Sequence, residues 1–126
     1  MLNTKQNLHT HTNFCDGRDT PEEMVAHALS LGFGSLGFSG HSYFYGSDYM
    51  PGVITEERTA LCRAEVARLK EKYRDRIALY YGLEVEMFSE ISLDGYDYLI
   101  GSVHYLKKRG RLYRLRPFGR RRCRAH

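Results

Sequence analysis

Short apolar stretches of strand character alternate along this chain with longer stretches of helical period, and the short ones stop on histidines or acids. Gln6-Asn7-Leu8-His9-Thr10-His11 has the length of a strand and ends in polar residues. After a loop over Asn13 to Asp19, Thr20-Pro21-Glu22-Glu23 carries the signals of a helix start. Thr20 suits the N-cap, Pro21 the first helical position, and Glu23 completes a capping box. Met24, Val25, Ala28, Leu29 and Leu31 then form an apolar face at helical spacing, and Gly32 is a natural stop. Ser35 to Ser39 is a second apolar strand, closed by Gly40-His41-Ser42. A loop rich in Tyr and Gly, Tyr43 to Gly52, leads to a helix over about Glu56 to Tyr73, where Cys62, Val66, Leu69 and Tyr73 share one face. Ile77 to Glu86 and Tyr98 to Val103 read as two further strands, the last running into His104. The order β-α-β-α-β-β predicts an α/β chain of right-handed βαβ units around a mostly parallel sheet.

At 126 residues the chain is one domain or part of one. With 42% hydrophobic and 27% charged residues it has the composition of a soluble globular protein. Its apolar runs are too short for a membrane helix, and Met1 to Gln6 lacks the apolar core of a signal peptide, so the expected compartment is the cytosol. Cys15, Cys62 and Cys123 are an odd, widely spaced set with no CxxC pair. That argues against both a disulfide framework and a thiolate zinc knuckle.

In α/β folds, ligands bind at the carboxyl ends of the strands. The first strand here ends in His9 and His11, the second in His41, the third in Glu84 and Glu86, the fourth in His104. His9 and His11 are two apart, so strand geometry puts both imidazoles on one face. Asp16, in the following loop, is placed to turn back to the same site. Each of these residues alone has an ordinary reading: surface histidines, an Asp-Gly turn, a strand with one solvated acidic face. Their joint placement on one predicted edge is what points to a metal site. His27 falls on the first helix and His126 at the terminus, and neither is assigned a role. Mixed imidazole and carboxylate donors suit zinc, manganese or iron better than calcium or magnesium. A set without cysteine suits a catalytic site with open positions. Clustered ions serve phosphoester hydrolysis by lowering the pKa of a bound water, orienting the phosphate and neutralising charge on the leaving oxygen.

Four ordered motifs carry a resemblance. His9-Thr10-His11-Thr12 with Cys15-Asp16-Gly17, then Gly37-Phe38-Ser39-Gly40-His41-Ser42, then Gly82-Leu83-Glu84-Val85-Glu86, then Asp97 to His104 (DYLIGSVH), resemble in order the polymerase-and-histidinol-phosphatase (PHP) superfamily, in its histidinol-phosphatase branch. The resemblance covers about residues 6–108. It implies a distorted TIM-like barrel of seven β/α units, of which this chain supplies about the first four. It also implies a trinuclear metal centre and the hydrolysis of L-histidinol phosphate to L-histidinol and phosphate in histidine biosynthesis. Carried over by motif, His9, His11, Asp16, His41, Glu84 and His104 are the expected metal ligands, with Glu84 bridging two ions. Arg18 is placed to meet the substrate phosphate. Many superfamily members have an acidic residue where this chain has Gly40.

The family chain continues well past this point, and its later half supplies a further histidine ligand and an Asp-x-His motif. Here the resemblance reads as stopping near Lys108. The net charge of +4 hides an asymmetry: residues 107–126 hold ten Lys and Arg and no acid, against nine basic and fifteen acidic residues before them. Residues 1–108 are therefore expected to be the N-terminal part of a phosphoesterase domain. Residues 109–126 are expected to be a basic tail, disordered or the product of a shifted reading frame. On this reading the metal shell is incomplete and turnover impaired. The expected partner is a small phosphorylated substrate; the tail contacts nucleic acid only nonspecifically, and no membrane partner is expected. The alternatives are another PHP-type phosphoesterase, or a basic-tailed nucleic-acid-binding module with a vestigial metal site.

Overall fold

A computed structural model of the protein describes residues 4–44 and 52–115. The elements are β1 (Gln6–Asn7), α1 (Pro21–Ser30), β2 (Ser35–His41), α2 (Glu56–Lys72), β3 (Ala78–Glu86), β4 (Tyr98–Ser102), β5 (Tyr105–Lys108) and β6 (Arg111–Arg114). The first four strands form one parallel sheet in the order β1-β2-β3-β4. This is the expected α/β class: a curled, four-stranded parallel half of a TIM-like barrel. Among the described residues no helix is long and apolar enough to cross a membrane. The sequence-based expectations for residues 45–51 and 116–126, including Cys123 and His126, fall outside the described residues.

The helices form for the reasons their sequences suggest. In α1 the capping box is present: the Glu23 N–H donates to Thr20 Oγ1 at 3.2 Å, and the Thr20 N–H donates to Glu23 Oε2 at 2.8 Å. Val25 and Ala28 are buried and Met24 and Leu29 half-buried, but Leu31 is 49% exposed. It is the C-cap, past the last helical turn, so the periodic face no longer governs where it points. In α2, capped by Thr55, Cys62, Val66 and Leu69 are buried. Both helices pack on the outer face of the sheet against Leu36, Phe38, Leu79 and Tyr81. That face takes every second strand residue, which leaves Gly37, Ser39 and His41 of β2, and Gly82, Glu84 and Glu86 of β3, for the inner face.

Tyr98 of β4 crosses that inner face. A Cβ on Gly82 would lie 2.2 Å from its Cζ, and a Cβ on Gly37 would lie 2.2 Å from its hydroxyl. Tyr98 Oη donates at 2.5 Å to the carbonyl of Leu8, ninety residues away. Two glycines thus clear a track along which a fourth-strand tyrosine reaches the first-strand end.

Two elements differ from the sequence-based expectation. The strand over Gln6 to His11 pairs as strand only at Gln6–Asn7. The His9 N–H is taken by Asn7 Oδ1 at 3.0 Å, a local bond that competes with the ladder. The segment still runs along β2, because the Ser39 N–H donates to the Thr10 carbonyl and Thr10 Oγ1 donates to the Gly37 carbonyl. The second difference is an antiparallel hairpin of β5 and β6, where the sequence predicts no strand. Its two-residue turn is Arg109-Gly110, both at positive φ (50° and 78°), the combination a type I′ hairpin needs. Arg109-Gly110 thus forms the turn and Arg111–Arg114 the second strand.

Candidate metal centre

The side chains gather around Glu84. It lies near the carboxyl end of β3, in register with His41 of β2, and it is only 5% exposed. Its Oε2 lies 3.3 Å from His9 Nε2, 3.3 Å from His11 Nε2 and 3.2 Å from His41 Nδ1. Its Oε1 lies 3.3 Å from His104 Nε2. Asp16 closes the other flank, with Oδ1 3.2 Å from His11 Nδ1 and Oδ2 3.0 Å from His41 Nε2. Neighbouring imidazole rings stand 4.5 to 5.3 Å apart. Three overlapping groups have the spacing to hold a metal ion: His9 with His11 and Glu84, His11 with Asp16 and His41, and His41 with Glu84 and His104. All six residues expected at the site are therefore brought together.

Local structure explains the convergence. His9 and His11 face the site while Thr10 and Thr12, the alternate residues, are buried on the other side. The Asp16 loop is folded back by two bonds to one acceptor, since the Cys15 and Gly17 N–H groups both donate to the Thr12 carbonyl. Arg18, two residues on, is exposed and belongs to none of the three groups.

The electrostatics match cation binding. Glu84 Oε2 is buried and accepts no hydrogen bond, although three imidazole nitrogens surround it. A buried carboxylate oxygen without a donor is costly. Nitrogen lone pairs and a carboxylate turned toward one point are the donors of an ion. Burial, reinforced by the nearby His11, lowers the pKa of His41 despite the opposing charge of Asp16. Burial pushes Asp16 up, but the charges of His41 and His11 outweigh it and leave its carboxyl below the usual range. Burial raises the Cys15 thiol and keeps it protonated, even with its sulfur 3.7 Å from His11 Nδ1. That sulfur fills the space beside Gly40, where a Cβ would meet it at 3.2 Å.

Glu86, expected at the strand end but outside the expected ligand set, stands behind His104. Its Oε2 accepts from both the His104 N–H and His104 Nδ1, each at 2.9 Å. This fixes the ring so that Nε2 faces Glu84, the carboxylate-to-imidazole arrangement common behind metal ligands. The Glu86 N–H is held in turn by Ser42 Oγ at 2.8 Å. The signal was present in the alternation Glu84-Val85-Glu86, which put both acids on one face. A small cleft opens beside these groups, lined by His41, Glu84, Glu86, His104, Tyr105 and Arg114 among others.

Comparison with known proteins agrees with this geometry. A family model described as the PHP domain matches residues 7–124. The histidinol-phosphatase of Bacillus subtilis (strain 168) is 31% identical over 120 residues, covering 82% of this chain and 45% of that relative. That of Lactococcus lactis subsp. lactis (strain IL1403) is 28% identical over 109 residues, covering 79% of this chain and 39% of the relative. The chain thus spans less than half the length of the curated relatives it matches. A crystal structure of a proposed histidinol phosphatase from Listeria monocytogenes superimposes with a TM-score of 0.72 at 20% identity, over 87% of this chain and 48% of that one. With a matching family model along nearly its whole length and the same half-barrel, the chain belongs to the PHP domain family.

Proposed function

We propose that this chain carries the N-terminal portion of a metal-dependent phosphoric monoester hydrolase, and that its ester is L-histidinol phosphate. The names of the curated relatives support the substrate. The observation that carries the reading is the buried, unpaired Glu84 oxygen with four imidazoles turned toward its carboxylate. We assign His9, His11, Asp16, His41, Glu84 and His104 as ligands, Glu84 being shared between groups. Zinc, manganese or iron fits this donor set best. When bound, such ions activate water and offset charge on phosphoryl oxygens.

The chain's own residues do the rest. Glu86 accepts a hydrogen bond from His104 Nδ1 and so fixes which nitrogen offers its lone pair. The pKa of Asp16 and that of His41 are both shifted down, the direction that favours the deprotonated forms in which ligands bind metal. Arg114, on the wall of the cleft, and Arg18, just past the Asp16 turn, are the cations we assign to the substrate phosphate, whose oxygens a guanidinium fork matches.

Donor supply bears on activity. Four imidazoles can give one lone pair each, and two carboxylates two oxygens each. Three ions at about three protein ligands apiece ask for more than these described residues offer. We therefore propose slow turnover by this chain alone. The test is elemental analysis of the purified protein together with phosphate release from histidinol phosphate and a panel of other phosphomonoesters, with manganese or zinc added. Wild type should retain metal that Glu84→Ala and His9→Ala lose. A chain that takes up no metal ends the proposal, and preference for another ester would change its substrate.

A further inference from the structure

We infer that Arg58, on α2 and outside every motif, is the positioning residue that sets Asp16 for the ion of the His11, Asp16 and His41 group. The inference rests on the metal reading of that group. Asp16 sits on a turn whose N–H groups point inward: those of Cys15 and Gly17 share the Thr12 carbonyl, and that of Phe14 goes to Thr12 Oγ1. The outward carbonyls of the same turn are those of Asn13 and Phe14. One guanidinium collects both, Arg58 Nε donating to Phe14 O at 2.9 Å and Nη2 to Asn13 O at 2.5 Å. The cation also stands 5.7 Å from the centre of the Phe14 ring. Its own backbone is anchored, because the Arg58 N–H donates to the N-cap Thr55 Oγ1. On the opposite flank Gly52 packs so close that a Cβ there would lie 2.8 Å from Asp16 Cβ.

Asp16 is the one ligand candidate of the six carried on a free-standing loop rather than beside a strand. Its carboxylate must reach two imidazoles at once, at 3.2 and 3.0 Å. Two charge-assisted bonds from a planar fork fix the rotation of the turn as well as its distance, which a single-point cation would not do. Arg58 therefore acts on the ion through Asp16, and the other two metal groups do not depend on it.

The test measures metal binding by the full 126-residue chain, with cobalt(II) as a visible probe and a chelator competition for each ion. Arg58→Gln should weaken one ion by about tenfold or more and remove its share of the cobalt spectrum, leaving the rest of the bound metal in place. Asp16→Asn should lose the same ion, and the double variant should bind no worse than Asp16→Asn alone. Arg58→Lys, which keeps the charge but not the fork, should recover part of the loss. Arg63→Gln is the control, since that guanidinium clamps the carbonyls of Asp94 and Gly95 in the same manner away from the site; it should leave metal binding unchanged. Wild-type affinity in Arg58→Gln, additive losses in the double variant, or an equal loss in Arg63→Gln would overturn the inference. If Arg58→Gln does not fold, Arg58→Lys decides: uniform weakening of all ions would refute it. A wild-type chain that binds no ion overturns the metal reading itself, a different result from any of these.

Discussion

Glu84 is the residue on which the site turns, and its environment makes opposite demands with and without an ion. Without one, a carboxylate 5% exposed has an oxygen that no donor satisfies. With one, that oxygen is neutralised. Glu84→Gln should therefore raise the melting temperature of the metal-free chain by several degrees, the effect of relieving about 1 kcal/mol in a domain of this size. Added zinc or manganese should raise the melting temperature of wild type, and the same change should abolish that rise. Differential scanning calorimetry with and without metal reads both, and a metal-free variant less stable than wild type would contradict the account. His41 gives a pH prediction. Its folded pKa lies below its ordinary value of 6.5, so the unfolded chain binds the proton more tightly. Its contribution to stability is thus complete above that value and is lost as pH falls below it. Urea midpoints of the metal-free chain should decline as pH falls below about 6.5, and His41→Asn should flatten that decline. A midpoint that holds steady between pH 7 and 5 would count against this reading.

At the scale of elements, β3 and β4 are joined by a feature that is steric before it is polar. The Tyr98 ring lies against Gly82 with no space for one methyl, and its hydroxyl ties Leu8, the residue before His9. Gly82→Ala should cost about 1–3 kcal/mol as overpacking. In a Tyr98→Ala background it should cost much less, so a double-mutant cycle by urea denaturation should show strong coupling; additive effects would remove the ring from the explanation. The same comparison shows what the sequence could and could not reveal. The helices were readable because their ends are chemically marked, Thr20 with Pro21 and Glu23 at one start and Gly32 at one stop. The gathering of these side chains was readable because strand period puts His9 with His11 and Glu84 with Glu86. The early end of β1 was not, because it depends on whether Asn7 Oδ1 or the neighbouring strand takes the His9 N–H. The hairpin was hidden by its turn, because Arg109-Gly110 fills positions usually marked by Asn-Gly and sits in a run of arginines. Arg58 and Tyr98 carried no local signal, since their partners lie 44 to 90 residues away.

For the molecule as a whole, two forces favour self-association, and they respond to salt in opposite ways. Among the described residues β4 pairs only with β3, which leaves a parallel strand with an open edge. Leu99 (45%) on β4 and Leu106 (50%) and Tyr113 (52%) on the hairpin are exposed. Open edges and contiguous apolar surface are recognised hazards. The chain also has an acidic body and a hairpin bearing Lys107, Lys108, Arg109, Arg111 and Arg114, which attract one another between copies. Attraction between exposed charges is screened within roughly 10 Å at 0.1 M salt and within about 3 Å at 1 M. Apolar burial is not screened, and exposing three large side chains gives up several kcal/mol in total at about 1.5–3 kcal/mol each. The apolar term should win. Light scattering should find a mass that rises with protein concentration and persists in 1 M sodium chloride. Leu99→Lys with Leu106→Lys should return the chain to monomer at both salt concentrations, since neither residue belongs to the metal centre and both additions place charge on the exposed surface. Dissociation of wild type by salt alone would assign the association to the charged hairpin, and a monomer at every concentration would mean that the edge is protected in solution.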